Sequence, residues 1–434
     1  MRTLLRGGTV LTLGDRTSNL VTGDVLIDGD IIAEVGPGLR ARDAEHLDAT
    51  DCIILPGFID THRHSWRTLL RHAGDDTTGQ DHRHAASAPA HRDELTPDDV
   101  YAGTLLGLLS ALESGITTVV DIADLDAPGT EAALRAHEDA GVRTVLVHGD
   151  LTTIERLGGS SDTSDSRRTR FAFGSPEPTD RTLDHVAAEW TDARARGLRI
   201  HAHVGSTPAH RGITVRLAER GLLGGDVTLV HCSHLDEPDL AAIAGSGAAV
   251  SITPAREMAA GLGLPPLQAL LDAGIRPGLG TDDERVGPGD AFGQMRATQS
   301  LQHAAMFDRR LAGKGSLPHL LTTREVLRFA TADGARVAGL DTVTGSLEPG
   351  MQADIVVLRT DRPNIAPVND PIGAIVWGMD PSNVDWVFVA GQPRVRNGVI
   401  DADVAHVRQL AVAARDRLVR AGGPLAAANA GDGR

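Results

Sequence analysis

The sequence predicts an α/β fold, a (β/α)8 TIM barrel with a small composite β-sandwich domain built from both termini. Two observations predict it. The middle of the chain alternates eight short apolar, β-like runs with helical stretches, and eight such units are what this barrel needs. The two ends share a texture of short strands and turns, as in "DVLIDGDIIAEVG" near the start and "ADIVVLRTD" near the end. We therefore expect the ends to form one domain beside the barrel.

The expected strands of the barrel are short apolar runs that precede or follow helical segments. In chain order they are "GFIDTHRH", "ITTVVDI", "VRTVLVHG", "RFAFG", "LRIHAHVGS", "VTLVHCS", "AAVSITP" and "IRPGLGTDD". The helix before the second strand has start and stop signals in the sequence: Thr96 as N-cap, Pro97 at the first helical position and Gly115 at the end. In the first terminal segment, Asp28-Gly29 between apolar runs predicts a hairpin turn.

The chain divides into segments whose sequence patterns predict different structures. At 434 residues it is too long for one small core. The expected segments are an N-terminal β-sandwich segment at 1–55, the barrel at 56–340, a second β-sandwich segment at 341–400, a C-terminal helix at 401–421 and a disordered tail at 422–434. Within the barrel, residues 155–167 read as a mobile loop and the histidine-rich residues 81–91 as a pocket lid.

Composition and charge exclude several classes of function. A formal net charge of −16 offers no attraction to nucleic acid or to an anionic membrane. Two cysteines, Cys52 and Cys232, do not make a disulfide framework. The apolar start is interrupted by Gly7, Gly8 and Asp15, which does not fit a signal peptide, and no apolar run elsewhere is long enough for a bilayer. We expect a cytoplasmic protein with a small-molecule substrate, and leave association into a homo-oligomer open.

Two histidines stand two residues apart in "FIDTHRHSW". Residues i and i+2 of a strand point to the same face, so His62 and His64 would lie side by side, as ligands of a metal often do. Taken alone, the pair could equally be a polar strand end with two solvated imidazoles.

Three further strands carry a histidine or an aspartate at the same level. His203 lies at the end of the fifth strand, His231 at the end of the sixth and Asp282 at the end of the eighth. Active sites of these barrels lie at the C-terminal ends of the strands. Imidazoles with one carboxylate suit one divalent metal ion, Zn²⁺ first, with Fe²⁺ and Mn²⁺ as alternatives. The sequence therefore predicts a metal site.

The segments "LPGFIDTHRH", "IHAHV", "VHCSHLD", "GLGTDD" and "GSLEPGMQADIVVL" resemble successive landmarks of the amidohydrolase superfamily, in the branch with cytosine deaminase, guanine deaminase and the triazine hydrolases. The resemblance runs from the first strands to about residue 400. It implies the barrel and the composite β-sandwich. It also implies that His62, His64, His203 and Asp282 bind the metal, and that His231 contacts the metal-activated water or the developing oxyanion.

One departure from the family concerns the number of metals. Dinuclear members bridge two metals with a carbamylated lysine on the fourth strand. This chain has a single lysine, Lys314, beyond the eighth strand, so we expect a mononuclear site.

A second departure concerns proton transfer. The deaminase branch usually has a glutamate three residues after the fifth-strand histidine, and this chain has Ser206 there. A serine hydroxyl is a poor general base near neutral pH. Asp282 and His231 could carry the protons alone, or Glu257, Asp283 or Glu284 could stand in. Each of these three acids also fits a solvated loop position or a loop-ordering salt bridge.

Four residues are expected to bind substrate, each with a structural alternative. Trp66 could form an aromatic wall or pack under the first loop. His201 could touch substrate or lie deeper as a hydrogen-bonded barrel histidine. Ser206 would line the pocket, and Glu257 would reach it from the loop after the seventh strand.

The predicted function is metal-dependent hydrolysis of a non-peptide C–N bond in a small molecule, a cyclic amide, amidine, urea or amino-heterocycle, through a metal-activated water. Asp282 would accept the proton of the water and help return it to the leaving nitrogen, and His231 would stabilise the oxyanion. Two alternatives remain: a lyase or decarboxylase on the same site, and a non-catalytic relative acting in assembly.

Overall fold

The computed structural model describes residues 2–16, 18–73, 94–158, 168–315 and 317–420. The expected lid at 81–91, the expected disordered tail at 422–434 and most of the expected mobile loop at 155–167 lie outside the described residues.

The described residues form strands in chain order as follows: β1 Arg2–Val10, β2 Leu20–Asp28, β3 Ile31–Gly36, β4 Glu45–Asp48, β5 Cys52–Pro56, β6 Phe58–Arg63, β7 Ile116–Ile122, β8 Arg143–His148, β9 Thr169–Ser175, β10 Arg199–Val204, β11 Val227–His231, β12 Ala249–Ile252, β13 Gly278–Leu279, β14 Ile355–Arg359, β15 Val384–Val389, β16 Gln392–Arg396 and β17 Val399–Ile400. The helices of at least six residues are Pro97–Glu113, Ala127–Ala140, Leu151–Arg156, Leu183–Ala195, Ile213–Glu219, Glu237–Ser246, Pro254–Ala259, Leu267–Asp272, Ala291–Leu311, Thr323–Phe329, Ala332–Ala338 and Val404–Arg420, with a 3-10 helix at Ser65–Leu70.

Strands β6 to β13 form the predicted barrel. They pair as neighbours in chain order, all in parallel. Each lies within one of the predicted runs except β9, which extends one residue beyond "RFAFG" at either end. The first and last strands are joined by backbone hydrogen bonds, from the Asp282 N–H to the His62 carbonyl and from the His64 N–H to the Asp282 carbonyl, both 2.8 Å. This closure brings Asp282 beside the two histidines of β6.

The strands of both termini meet in one sheet. Within the described residues its order is β17-β16-β15-β14-β5-β1-β2-β3, with β4 also paired to β1. The junction between the two ends is the antiparallel pair β5 and β14, in which Ile54 lies opposite Val357. Hydrogen bonding along this path is continuous, so the domain expected as a sandwich is connected as a single sheet. The β2–β3 hairpin turns at Gly29 and Asp30, one residue later than expected.

Local sequence signals explain the helices that support the barrel. Thr96 and Asp99 form a reciprocal capping box at the start of Pro97–Glu113. The C-terminal helix Val404–Arg420 buries Ala414 and Leu418 in a cluster that also contains Val100 of the helix Pro97–Glu113.

No helix in the described ranges is both long and apolar enough to cross a membrane.

Candidate metal centre

The structure brings together all five predicted strand-end residues. Possible ligand atoms of His62, His64 and His203 lie within 4.8 Å of one another, and so do those of His62, His231 and Asp282. These are the groups with potential metal-binding geometry among the described residues, and they share His62. The two groups therefore describe one centre.

The short distances in this cluster join nitrogen and oxygen atoms that face each other. Nε2 of His62 lies 3.2 Å from Nε2 of His203. Nε2 of His64 lies 3.6 Å from Oδ1 of Asp282, and Nε2 of His231 lies 3.8 Å from Oδ2 of the same carboxylate. Asp282 thus faces two imidazoles with its two oxygens.

Backbone geometry at two of these positions is strained. His231 has φ 67° and Asp282 has φ 62°, the left-handed region that few residues other than glycine adopt. Such a conformation typically costs about 1–3 kcal/mol and persists where the surroundings impose it, often at functional sites. Both residues stand where the chain leaves the end of a strand.

Burial prepares two of the imidazoles to act as ligands. It lowers the pKa of His62 and of His203 well below the usual value, and the neighbouring imidazoles lower both further. Neutral imidazoles offer a nitrogen lone pair. The imidazoles of His62, His64 and His203 beside the Asp282 carboxylate make a donor set suited to a single borderline divalent cation, so the residues present fit the metal that the sequence predicts.

A buried glutamate holds His231. Nδ1 of His231 lies 2.9 Å from Oε1 of Glu257, which also accepts the Thr253 N–H at 2.9 Å. Burial would lower the pKa of His231, but the hydrogen bond and the charge of Glu257 outweigh it and raise the pKa. Glu257 is fully buried and, within the described part of the chain, does not line the cavity. The predicted substrate contact of Glu257 is therefore corrected: it orients His231 from behind.

Trp66 also departs from the substrate-binding expectation. The strand alternation ends at β6, and Trp66 lies in the 3-10 helix Ser65–Leu70, so its indole turns into a buried apolar cluster. Its Nε1–H donates to Asp124 at 2.9 Å. The structural alternative, packing under the first loop, describes this residue.

Asp124 lies beside the ring of His64. Its Oδ1 lies 3.6 Å from Nδ1 of His64, and its Oδ2 accepts from Arg67 at 3.0 Å. Burial would raise the pKa of Asp124, but His64 and Arg67 outweigh it and lower the pKa. A carboxylate behind a metal-binding histidine is a common way to fix the ring.

His201 matches the expectation of a deep, hydrogen-bonded barrel histidine. Its ring stacks on His62 with centroids 5.5 Å apart and planes 4° from parallel, and its Nε2 lies 3.2 Å from Nδ1 of His62. Burial lowers the pKa of His201 to about 3. The residue is a deep barrel histidine that also lines the cavity.

The other two acids considered as stand-ins are structural. Asp283 pairs with Arg285 at 2.9 Å, and Glu284 pairs with Arg63 and Arg71. Both acids are buried. Both acids therefore match the expected alternative of a salt bridge that orders the loop.

A cavity of about 780 Å³ opens above the cluster, within the usual size of small-molecule sites. His64, His203, His231 and Asp282 line it, together with Ser206. Sequence reasoning missed other residues of the cavity wall, among them Asp124, His148, Glu177 and Arg256. The first three end or closely follow β7, β8 and β9, so the rule that found the histidines could have found them.

Comparison with known proteins identifies the family of the chain. The model of the amidohydrolase family matches residues 53–403. The chain is 30% identical to 5-methylthioadenosine/S-adenosylhomocysteine deaminase of Pelotomaculum thermopropionicum, over 90% of this chain and 92% of that protein. It is 31% identical to 5'-deoxyadenosine deaminase of Methanothermobacter thermautotrophicus, over 96% and 98% of the two chains.

Solved structures share the fold. Atrazine chlorohydrolase of Arthrobacter aurescens TC1 complexed with zinc superposes with a TM-score of 0.80 at 25% identity, covering 95% of this chain and 100% of that chain. An adenosine deaminase of Xanthomonas campestris with bound zinc gives 0.81 at 22% identity, over 96% and 98%, and supports the fold alone. The chain belongs to the amidohydrolase family, and it is a metal-dependent hydrolase that acts on C–N bonds other than peptide bonds in small molecules.

Proposed function

We propose that the protein deaminates an amino-substituted heterocycle with one Zn²⁺ ion, held by His62, His64, His203 and Asp282. The observation that carries the proposal is the convergence of these side chains in one cluster, of which His64, His203 and Asp282 also line the cavity. Zinc is favoured by the imidazole-rich donor set and by the zinc in the related atrazine chlorohydrolase structure.

The metal would lower the pKa of a water and polarise the reacting carbon–nitrogen group. Asp282 takes one proton of the attacking water as the water oxygen bonds to the ring carbon. It delivers that proton to the amino nitrogen, which leaves as ammonia when the carbon–nitrogen bond breaks. The Asp282 oxygens face both His64 and His231, which suits a group that moves a proton across the site.

His231 stabilises the oxygen on the attacked carbon. Its Nδ1 is held by Glu257, so its Nε2 points towards Asp282 and the cluster. A donor fixed in advance where negative charge develops is usually the largest contribution to such reactions.

The substrate class follows from two lines of support. Relatives that match nearly the whole chain are deaminases of adenine derivatives, and the cavity has room for a heterocycle with a substituent.

Membership in a family of hydrolases also disfavours the lyase and the non-catalytic alternatives. A reducing compartment such as the cytoplasm suits the two free, buried cysteines, and we leave a homo-oligomer open.

A substrate screen tests the proposal. Zinc-loaded protein would be incubated with 5'-deoxyadenosine, 5-methylthioadenosine and S-adenosylhomocysteine, then with aminated pyrimidines, pterins and triazines, and with cyclic amides and hydantoins. We expect ammonia release from at least one aminated heterocycle. Ring opening of cyclic amides without ammonia release from any aminated compound would contradict deamination while leaving C–N hydrolysis intact.

A further inference from the structure

A carboxylate on the cavity wall has no role in the chemistry proposed for Asp282 and His231. Glu177 lies in the loop after β9, two residues beyond Ser175, and lines the same cavity as His203, His231 and Asp282. Its side chain is 25% exposed, so it is neither a surface acid nor buried in the core.

Three donors from the segment after β10 hold this carboxylate. Oε1 of Glu177 accepts the Ser206 N–H at 3.0 Å and lies 2.7 Å from Nδ1 of His210. Oε2 accepts the Ser206 hydroxyl at 2.7 Å. Ser206, where the sequence lacks an expected glutamate, therefore serves to fix a carboxylate that comes from the neighbouring loop.

The acceptor sites of the Glu177 carboxylate indicate where a ligand would bind. An ionised carboxylate offers about four lone-pair sites, two on each oxygen. Within the described residues, Oε1 has two partners and Oε2 has one. One site on Oε2 is left for a group in the cavity, and a carboxylate can only accept.

From this we infer that Glu177 anchors the substrate by accepting a hydrogen bond from an N–H group on its heterocycle. The inference rests on the proposed function and deepens it. The substrate must carry such an N–H donor, as an amino-heterocycle does, and Glu177 selects for it by accepting its hydrogen bond. Ser206 and His210 act as positioning residues for Glu177.

The variant Glu177→Gln gives the sharpest test, because two donors at the Oε1 position keep the amide oxygen there. The amide NH₂ then takes the Oε2 position and presents a donor to the cavity. A ligand N–H would meet another N–H, whereas a ligand without that group would lose little. The Ser206 hydroxyl can turn to accept from the NH₂, so the fold should tolerate the change.

Binding of matched probes to metal-stripped protein measures this directly. Adenosine and purine riboside differ only in the exocyclic amino group, and calorimetry gives both Kd values. We expect wild type to prefer adenosine by about tenfold to a hundredfold, the usual size of a hydrogen bond to a charged group. In Glu177→Gln and Glu177→Ala this preference should fall to about onefold to threefold.

The control is Asp180→Asn, in the same loop, where Asp180 pairs with Arg216 and its side chain is 68% exposed. It should keep the wild-type preference, and equal melting temperatures for all variants would exclude a folding effect. An unchanged preference in Glu177→Gln, or a wild type that binds neither probe, would overturn the inference. Failure of the proposed function is distinguishable, because it appears as absent ammonia release from zinc-loaded wild type even where the binding preference depends on Glu177.

Discussion

Removal of the Glu257 carboxylate should reduce turnover without removing the metal. Glu257 accepts hydrogen bonds from His231 and Thr253 on one oxygen, both at 2.9 Å, and it is fully buried. In Glu257→Ala the ring of His231 loses the group that fixes its orientation and raises its pKa.

The size of the effect follows from that one contact. A hydrogen bond to a charged group contributes about 1.5–3 kcal/mol, and about 1.4 kcal/mol corresponds to a tenfold change. We therefore expect kcat/KM to fall about 10-fold to 100-fold in Glu257→Ala. Glu257→Gln keeps an oxygen for His231 and Thr253 and should lose less than about tenfold.

The assay is ammonia release by zinc-loaded protein on the best substrate of the screen, with metal content measured on the same samples. Glu237→Gln is the matched control, because Glu237 lies exposed in the first turn of the neighbouring helix, and its kcat/KM should stay within about twofold of wild type. If Glu257→Ala kept wild-type kcat/KM, the assignment of His231 to the reaction would be wrong. If it lost the metal, Glu257 would act on the metal site and not through His231 alone.

Substitutions at three other positions should have distinct effects. Asp282→Asn should abolish ammonia release even where some metal remains, because Asp282 is proposed both to bind the metal and to accept a proton. Ser206→Ala should lower kcat/KM by no more than about a hundredfold, since it removes one of three hydrogen bonds to the Glu177 carboxylate, and a hydrogen bond to a charged group contributes about 1.5–3 kcal/mol. Arg143→Met should lower the free energy of unfolding by about 3–5 kcal/mol, because Arg143 binds Asp354 at 2.6 Å in a buried pair between the barrel and the terminal sheet.

Separate measurements distinguish the causes of these effects. Metal analysis of Asp282→Asn shows how much activity loss comes from metal loss, and wild-type-like turnover would remove Asp282 from the mechanism. A collapse of activity in Ser206→Ala at constant metal content would show that Ser206 itself handles substrate or protons. For Arg143→Met, urea unfolding is compared with Arg156→Met, which breaks a half-exposed pair with Glu131 and should lose less than about 1 kcal/mol.

The barrel and its metal-binding face could be predicted because both depend on local patterns. Short apolar runs alternate with capped helices, and the side-chain alternation of a strand places His62 and His64 on one face. The strand-end rule then adds His203, His231 and Asp282. None of these inferences needs to know which loop lies over which strand.

The failures come from contacts between loops that are distant in the chain. The sequence leaves Trp66 open between an aromatic wall of the pocket and packing under the first loop, and the 3-10 helix Ser65–Leu70 places its indole in a buried apolar cluster. From the sequence, Glu257 is expected as an acid of a loop. Nothing in "ITPAREM" indicates that its side chain contacts His231, which lies 26 residues away in the chain. Likewise, Glu177 meets Ser206 across 29 residues, a pairing that a single sequence does not encode in any local pattern.

The metal content of the protein decides whether His62, His64, His203 and Asp282 form a mononuclear catalytic centre. Protein purified without chelator, or stripped and reconstituted with Zn²⁺, would be analysed by elemental analysis alongside its ammonia-releasing activity. We expect about one divalent ion per chain, with activity that rises in proportion to metal and disappears when His62 and His64 are replaced by alanine. Two ions bound in the barrel, or no ion after reconstitution, would contradict the mononuclear centre.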